Sequence, residues 1–359
     1  MNDTFPAEFD TLTGLVRRYS PTGQEAAATG WLLDRMRQLG FHQASLDGAG
    51  NAVGVMGRGE RQAVLLGHID TVPGEIPVRL EGEVLFGRGT VDAKGPLAAF
   101  VDSVAEVGAI PGWQWVVIGA VDEEGDSRGA QYILDRYRPA FVIGGEPSRW
   151  HRVTLGYKGS AWSRITIRRP MAHAAAPQAS ACEAAVEFWQ DVQAWSADFN
   201  RDRPRAFDQV TPSLRGWSSG DNGFEAWATL HLGTRLPLGL SPEDWLSRLA
   251  RLDPSVASEA DGFSTPAFRA EKNSFLTRAF LQAIRAQGGE PAFLLKTGTA
   301  DLNLVAPRWS CPGLAYGPGD SALDHTAHEH LLLSEYTLAC RVLADVLRRA
   351  GGMSALPQR

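Results

Sequence analysis

Three apolar runs of this chain end in side chains that can bind a metal ion or move a proton. Ala63 to Leu66 runs into Gly67, His68, Ile69 and Asp70; Trp115 to Val121 into Asp122, Glu123, Glu124 and Gly125; Ala140 to Ile143 into Gly144, Gly145, Glu146 and Pro147. A further acid, Asp92, stands in GRGTVDAKGP just before the apolar helical stretch Leu97 to Val107. His68, Asp92, Glu124, Glu146 and one C-terminal histidine form a donor set of imidazole and carboxylate without thiolate, which suits Zn2+, Co2+ or Mn2+ at a catalytic site. Two such ions, about 3.5 to 4 Å apart, need a shared carboxylate, because negative charge between them must offset their repulsion. Asp92 is the candidate bridge. Asp70 is placed to accept the proton on the second ring nitrogen of His68 and so fix its tautomer. Glu123 remains free to take a proton from water and hand it to a leaving amine. Singly, an H-x-D or a pair of adjacent acids is more often a solvated loop. Their recurrence after apolar runs carries the inference, since a solvated acid has no reason to follow a buried strand. His173, in MAHAAAP, is read equally well as a surface, core or substrate-facing histidine.

The elements that must position these groups follow an α/β pattern. Apolar runs of this kind read as strands, and in open α/β sheets the carboxyl edge of the strands is where ligands bind. Two helices are expected at the start, Pro6 to Tyr19 and Gln24 to Leu39, the second stopping at Gly40 and opened by a Thr22–Glu25 capping box. Asn51 to Met56 reads as a strand. After Lys158 and Gly159 the pattern changes to strand (Ala161 to Arg168), helix (Ser180 to Trp195), two strands (Ser213 to Trp217, Glu225 to Leu232), helix (Ser241 to Leu252) and strand (Val256 to Phe263). That β-α-β-β-α-β order is ferredoxin-like. The first pattern then resumes with a helix from Ser274 to Ala286, a polar turn Lys296 to Asp301, a strand near Leu314 to Tyr316 and a helix from Ser334 to Ala350. The expected organisation is a discontinuous α/β catalytic domain, residues 1–158 and 267–359, with an inserted α+β lid of residues 159–266.

Composition limits the function classes. With 359 residues, 44% of them hydrophobic, the chain has core enough for about two domains. A formal net charge of −6 and no basic stripe argue against nucleic acid. The short cluster Arg201, Arg203 and Arg205 surrounds Pro204 and reads more readily as a solvated loop than as a docking site for an acidic partner. No run of apolar residues approaches a membrane span and no targeting segment stands out, so a cytoplasmic protein without membrane contact is expected. Cys182, Cys311 and Cys340 show no CxxC spacing and are expected to be reduced and mostly buried.

The strings GHIDTVP, GRGTVDAKGPLA, DEEGDSRGA, GGEPS, GTADLN and GPGDSALDHT resemble the M20 metallopeptidase family over essentially the whole chain. VDAKGP, GYKGS (Gly156 to Ser160), KTGTADLN and YGPGDS place the resemblance nearest to the hydrolases that release lysine or ornithine from an amino-group carrier protein. The resemblance implies a zinc-peptidase-like catalytic domain with an inserted ferredoxin-like lid and dimerisation domain. It also implies two Zn2+ ions, with Co2+ as a substitute. His68, Asp92 and Glu146 would hold one ion, and Asp92, Glu124 and His325 the other, with Asp70 behind His68 and Glu123 as general acid/base. His325 fits the family's H-x-x-x-E pattern, with Glu329 in the last place; a shift in register would move the ligand to His328. His173 is implied to reach a neighbouring subunit's site and steady the oxyanion, which requires a homodimer. Arg235 in GTRLP, Asn222, and Gly298 and Thr299 of the Gly298–Asp301 turn are the implied substrate-binding residues; a bidentate Arg suits a substrate carboxylate. The implied partner is a small acidic carrier bearing lysine or ornithine, for which Arg164, Arg168 and Arg169 would offer basic contacts. Acetylornithine or N-acetyl-lysine deacetylases, succinyl-diaminopimelate desuccinylases, and M20 carboxypeptidases or dipeptidases share this chemistry and are the alternatives. A metal- or carrier-binding relic is disfavoured, because it would have no use for Glu123.

Overall fold

A computed structural model describes residues 5–173 and 177–353. The chain separates into two compact units, Met1–Gly156 with Ala270–Leu295 and Ala300–Arg359, and Tyr157–Arg269 with Lys296–Thr299.

In the first unit the strand Arg61–His68 lies between Trp113–Ala120 and Phe141–Gly145, parallel to both. The last six residues of Arg61–His68 are buried, as are all five of Phe141–Gly145. Parallel strands covered on both faces read as unbroken apolar runs, which is why these stretches stand out in the sequence. The chain leaves Arg61–His68 through helix Lys94–Val107 to a strand on one side and later returns to a strand on the other. A crevice opens at such a reversal, at the carboxyl ends of the strands. Outside this trio, Ala52–Met56 and Gln43–Leu46 add antiparallel strands at one edge, and Gly313–Ala315 pairs parallel with Phe141–Gly145 at the other.

Leu65, Phe100, Trp115, Ile143, Tyr336 and Leu343 belong to one buried core. Burying an aromatic such as Phe100 fully stabilises by roughly 1.5 to 3 kcal/mol. Gly67 and Gly145 stand opposite each other in the ladder. A Cβ on Gly145 would lie 2.9 Å from the Phe100 ring and 3.0 Å from the Gly67 Cα, so the glycine before Glu146 is required by packing. The closing helix Leu333–Gly351 is tied to Lys94–Val107 by hydrogen bonds from Tyr336 Oη to Asp102 (2.6 Å) and from Ser103 Oγ to the Cys340 carbonyl (3.1 Å).

The second unit holds an antiparallel sheet in the spatial order Thr211–Asp221, Glu225–Leu236, Gly159–Pro170, Ala257–Ala260. In chain order that is 2-3-1-4, the order of a ferredoxin-like sheet. Helices Ala181–Asn200 and Pro242–Leu252 contribute Phe188, Trp245 and Leu249 to a core with Ile165, Leu230 and Leu232. Both helices open with a capping box, Ser180 with Glu183 and Ser241 with Asp244. Lys158, almost fully buried, donates from Nζ to the carbonyls of Ala206 (3.1 Å) and Gln209 and to Thr211 Oγ1 (3.0 Å), and so holds the turn before Thr211–Asp221.

Several local expectations are corrected. The Thr22–Glu25 capping box does not form: helix Ala26–Gln38 begins without a side-chain cap, Glu25 accepts from the Gly23 N–H, and the Thr22 hydroxyl donates to Asp70 instead. A distant carboxylate outcompetes the local partner. Helix Leu302–Trp309, which contains Pro307, was not anticipated, because an internal proline argues against a helix. Cys182 is exposed and Cys311 and Cys340 are half-buried, and none of the three is in a disulfide. Arg164 and Arg168, suggested as basic contacts, are exposed and form surface ion pairs across neighbouring strands, Arg164 with Glu259 at 3.0 Å and Arg168 with Glu225 at 2.8 Å. Among the described residues, no helix is long and apolar enough to cross a membrane.

Candidate active site

Parallel pairing puts the carboxyl ends of three strands at one edge of the first unit's sheet. His68 is the last residue of its strand, Glu123 and Glu124 follow Trp113–Ala120 closely, and Glu146 directly follows Phe141–Gly145. Asp92 arrives from the side, just before helix Lys94–Val107. Among the described residues, His68, Asp92 and Glu124 form the group whose potential ligand atoms all lie within 4.8 Å of one another. His68 Nε2 is 3.2 Å from Asp92 Oδ1, and His325 Nε2 is 3.0 Å from Asp92 Oδ2 and 2.9 Å from Glu124 Oε1. Asp92 therefore touches both histidines, one with each oxygen. His325 holds a left-handed backbone, φ 61°. Nearby, the His328 backbone N–H donates to Thr326 Oγ1 and His330 Nδ1 lies 2.7 Å from the His328 carbonyl.

The behaviour of Asp70 differs from the expectation. His68 Nδ1 is 2.9 Å from the Asp70 backbone carbonyl, whereas the nearest Asp70 carboxylate oxygen is 3.6 Å away, beyond hydrogen-bond length. A peptide carbonyl only accepts, so it fixes Nδ1–H and leaves Nε2 aimed at Asp92. The fully buried Asp70 carboxylate does something else: it accepts from the Glu123 N–H (3.1 Å), the Glu124 N–H (3.1 Å) and the Thr22 hydroxyl (2.8 Å). It thereby moors the turn that carries both glutamates.

The electrostatics follow from this crowding. Burial opposes charge on His68, yet Asp70 and Asp92 beside it hold its imidazole well above the usual value. Hydrogen bonds to Asp92 and Glu124 raise His325 to about 10. Burial would raise Asp92, but hydrogen bonds from His325 and His68 hold it far below the carboxylate range. Glu123 goes the other way. Desolvation pushes it well above its ordinary value, and Glu146, Asp301 and Glu124 add to this against the opposing His68. A carboxyl that keeps its proton to higher pH can donate it as well as accept it, which is what acid/base work requires. Metal ligands must be deprotonated, so a cation entering this cluster displaces the protons the histidines hold.

The remaining sequence-derived residues lie in the second unit. His173 is exposed in the segment after Gly159–Pro170. Arg235 donates from Nη1 to Thr299 Oγ1 at 3.2 Å, which brings two of the implied substrate-binding residues into contact, with Gly298 adjacent. Asn222 Oδ1 accepts from the Phe224 (3.0 Å) and Glu225 (2.9 Å) amides, so its carbonyl shapes the turn between two strands. Two further residues were missed as contributors. Asp301 is buried at the head of helix Leu302–Trp309, and burial lifts its carboxyl to about 7 against the lowering effect of Ser127. Thr22 reaches Asp70 from 48 positions away, and no local pattern could have revealed that.

Residues 64–349 match the peptidase family M20/M25/M40. A LysW-lysine hydrolase of Deinococcus radiodurans is 43% identical over 344 residues, covering 93% of this chain and 94% of the relative. A Thermococcus kodakarensis protein, provisionally named a LysW-lysine/LysW-ornithine hydrolase, is 38% identical over 343 residues, 95% of this chain and 91% of its own. A tripeptidase from Staphylococcus aureus has the same fold, with a TM-score of 0.77 at 18% identity over 96% of this chain and 98% of its own. With its metal-ligand types gathered at one sheet edge and a match across most of its length, the chain belongs to the M20/M25/M40 family of metal-dependent hydrolases.

Proposed function

We propose that the protein hydrolyses the amide joining the α-amino group of lysine, or ornithine, to the γ-carboxyl of the terminal glutamate of an acidic amino-group carrier protein of the LysW type. The observation that carries this reading is the match at 43% identity, nearly end to end, with a hydrolase named for that substrate.

The residues fit a metal-dependent hydrolase. Imidazole and carboxylate atoms converge with no thiolate among them, and one carboxylate, Asp92, faces two histidines at once. His68, Asp92 and Glu146 would hold one divalent ion and Asp92, Glu124 and His325 a second, zinc being the first candidate and cobalt a substitute. Bound there, such ions polarise a carbonyl and lower the pKa of water to near neutrality. Glu123 accepts the proton of the attacking water as its oxygen bonds to the γ-carbonyl carbon. It then delivers that proton to the α-nitrogen as the carbon–nitrogen bond breaks, giving free amino acid and the carrier's carboxylate. The Asp70 carboxylate keeps Glu123 aimed by gripping its amide. Arg235, steadied by Thr299 beside Gly298, takes the amino acid's α-carboxylate; Asn222 supports the turn that shapes the same unit. His173 of a second subunit donates to the carbonyl oxygen as charge develops on it, which makes the working form a homodimer.

The test is the intact mass of a lysyl-loaded carrier after incubation with zinc-loaded enzyme, alongside release of free lysine. N-acetylornithine and N-succinyl-diaminopimelate run in parallel. Loss of one lysyl unit with little turnover of the small substrates is expected. An untouched carrier together with rapid deacylation of a small substrate would overturn the carrier assignment and leave the metal site standing.

A further inference from the structure

Asp92 and His325 reach the cluster on separate loops, and something must set the distance between those loops. Strand His330–Leu332 pairs antiparallel with Val84–Phe86, which pairs in turn with Arg79–Glu81. The loop carrying Asp92 leaves this small sheet just after Phe86, and the loop carrying His325 enters it just before His330. Glu329 sits at the junction, completely buried. Its Oε1 accepts from the Val91 N–H (2.9 Å) and the Asp92 N–H (3.0 Å). Its Oε2 accepts from Arg88 Nη1 (2.9 Å), and Arg88 Nε reaches the Gly74 carbonyl (2.9 Å). The Glu329 carbonyl also accepts from the Gly87 N–H at 3.4 Å. One side chain thus spans the two ligand-bearing loops, and one arginine neutralises it.

We infer that Glu329, with Arg88 as its counter-charge, is a positioning residue that sets the spacing of Asp92 and His325 and thereby tunes the protein's affinity for divalent metal. A buried carboxylate held by a guanidinium and two amides has no freedom to swing, so the backbone at Asp92 cannot shift relative to His330–Leu332 without breaking these bonds. Glu329 touches no reacting atom and acts through Asp92. The inference rests on the metal-site part of the proposed function and is independent of the carrier substrate.

The experiment is Co2+ binding to the metal-stripped full-length protein. Affinity is read by chelator competition and coordination by the visible absorption of bound Co2+, for the parent, Glu329→Gln and Glu329→Ala. Glutamine keeps the volume but must set an NH2 against either the two amides or Arg88, both of which are donors. Groups that orient metal ligands typically contribute roughly 10- to 100-fold to affinity. Glu329→Gln is expected near the lower end of that range and Glu329→Ala near the upper, each with a changed Co2+ band. Should Glu329→Ala fail to fold, Glu329→Gln carries the test. A folded variant that melts at a lower temperature yet binds Co2+ with parental affinity and spectrum would overturn the inference, because Glu329 would then be structural only. A parent that takes up no Co2+ would overturn the metal-site reading and this inference with it.

Discussion

Replacing Asp70 with Asn separates what the structure assigns to this residue from what its spacing suggests. In the protein, Oδ1 accepts from the Glu123 amide at 3.1 Å, and Oδ2 accepts from the Glu124 amide at 3.1 Å and the Thr22 hydroxyl at 2.8 Å. Asparagine offers one oxygen and one NH2, so in either orientation a donor faces an amide donor. At least one hydrogen bond to a charged acceptor is lost, about 1.5 to 3 kcal/mol, and the bonds that survive weaken to neutral strength. Relief from burying a charge offsets part of this, which leaves about 2 to 4 kcal/mol less holding the turn at residues 122–125. At about 1.4 kcal/mol per factor of ten, that is roughly 30- to 1000-fold faster opening. Hydrogen exchange followed by mass spectrometry over residues 121–126 reads it directly. The Glu123 and Glu124 amides should exchange faster by that factor in Asp70→Asn, while the amides of strand Trp113–Ala120 keep parental protection. Thr22→Val removes one bond and leaves both amides gripped, so its effect should be much smaller. Parental exchange at Glu123 and Glu124 in a folded Asp70→Asn protein would refute the mooring role.

Three further outcomes are expected. Glu123→Gln should lower turnover by roughly 10²- to 10⁴-fold, the usual contribution of a positioned acid/base group, with metal content at the parental level; loss of metal along with activity would make Glu123 a ligand instead. Gly95→Ala places a Cβ 2.2 Å from the Thr90 carbonyl oxygen, in the loop that carries Asp92. Backbone cannot yield as a flexible side chain does, so the urea midpoint should fall by the equivalent of about 1 to 3 kcal/mol, and a parental midpoint would show that the close approach is relaxed in solution. Treatment with a chelator should abolish hydrolysis, and added Zn2+ or Co2+ should restore it; activity that persists in protein shown to be metal-free would remove the metal from the reaction.

The elements of the first unit's sheet were legible because buried parallel strands must be apolar throughout, and an acid or histidine just beyond such a run stands out. His68, Glu123, Glu124 and Glu146 were singled out this way, since a strand end is a local feature. The choice of His325 over His328 was not local. It depends on a left-handed residue at 325 and on the pairing of His330–Leu332 with Val84–Phe86, which together turn one imidazole toward Asp92 and Glu124. The hydrogen-bond partners of the buried carboxylates were hidden in the same way. Asp70 looked like the natural partner of a histidine two residues away, yet its own carbonyl serves His68 while its carboxylate serves amides 53 and 54 positions distant. Thr22 and Glu25 match a helix cap in sequence, but a buried carboxylate is the stronger acceptor and draws the hydroxyl away. Glu329 satisfies amides 238 and 237 positions back in the chain. Sequence alone therefore determined which side chains are available for chemistry and at which strand ends they emerge, because burial writes its pattern locally. Only the tertiary structure decided which of them meet and what holds them, because a buried polar group takes its partner from whatever the fold brings within about 3 Å, without regard to distance along the chain.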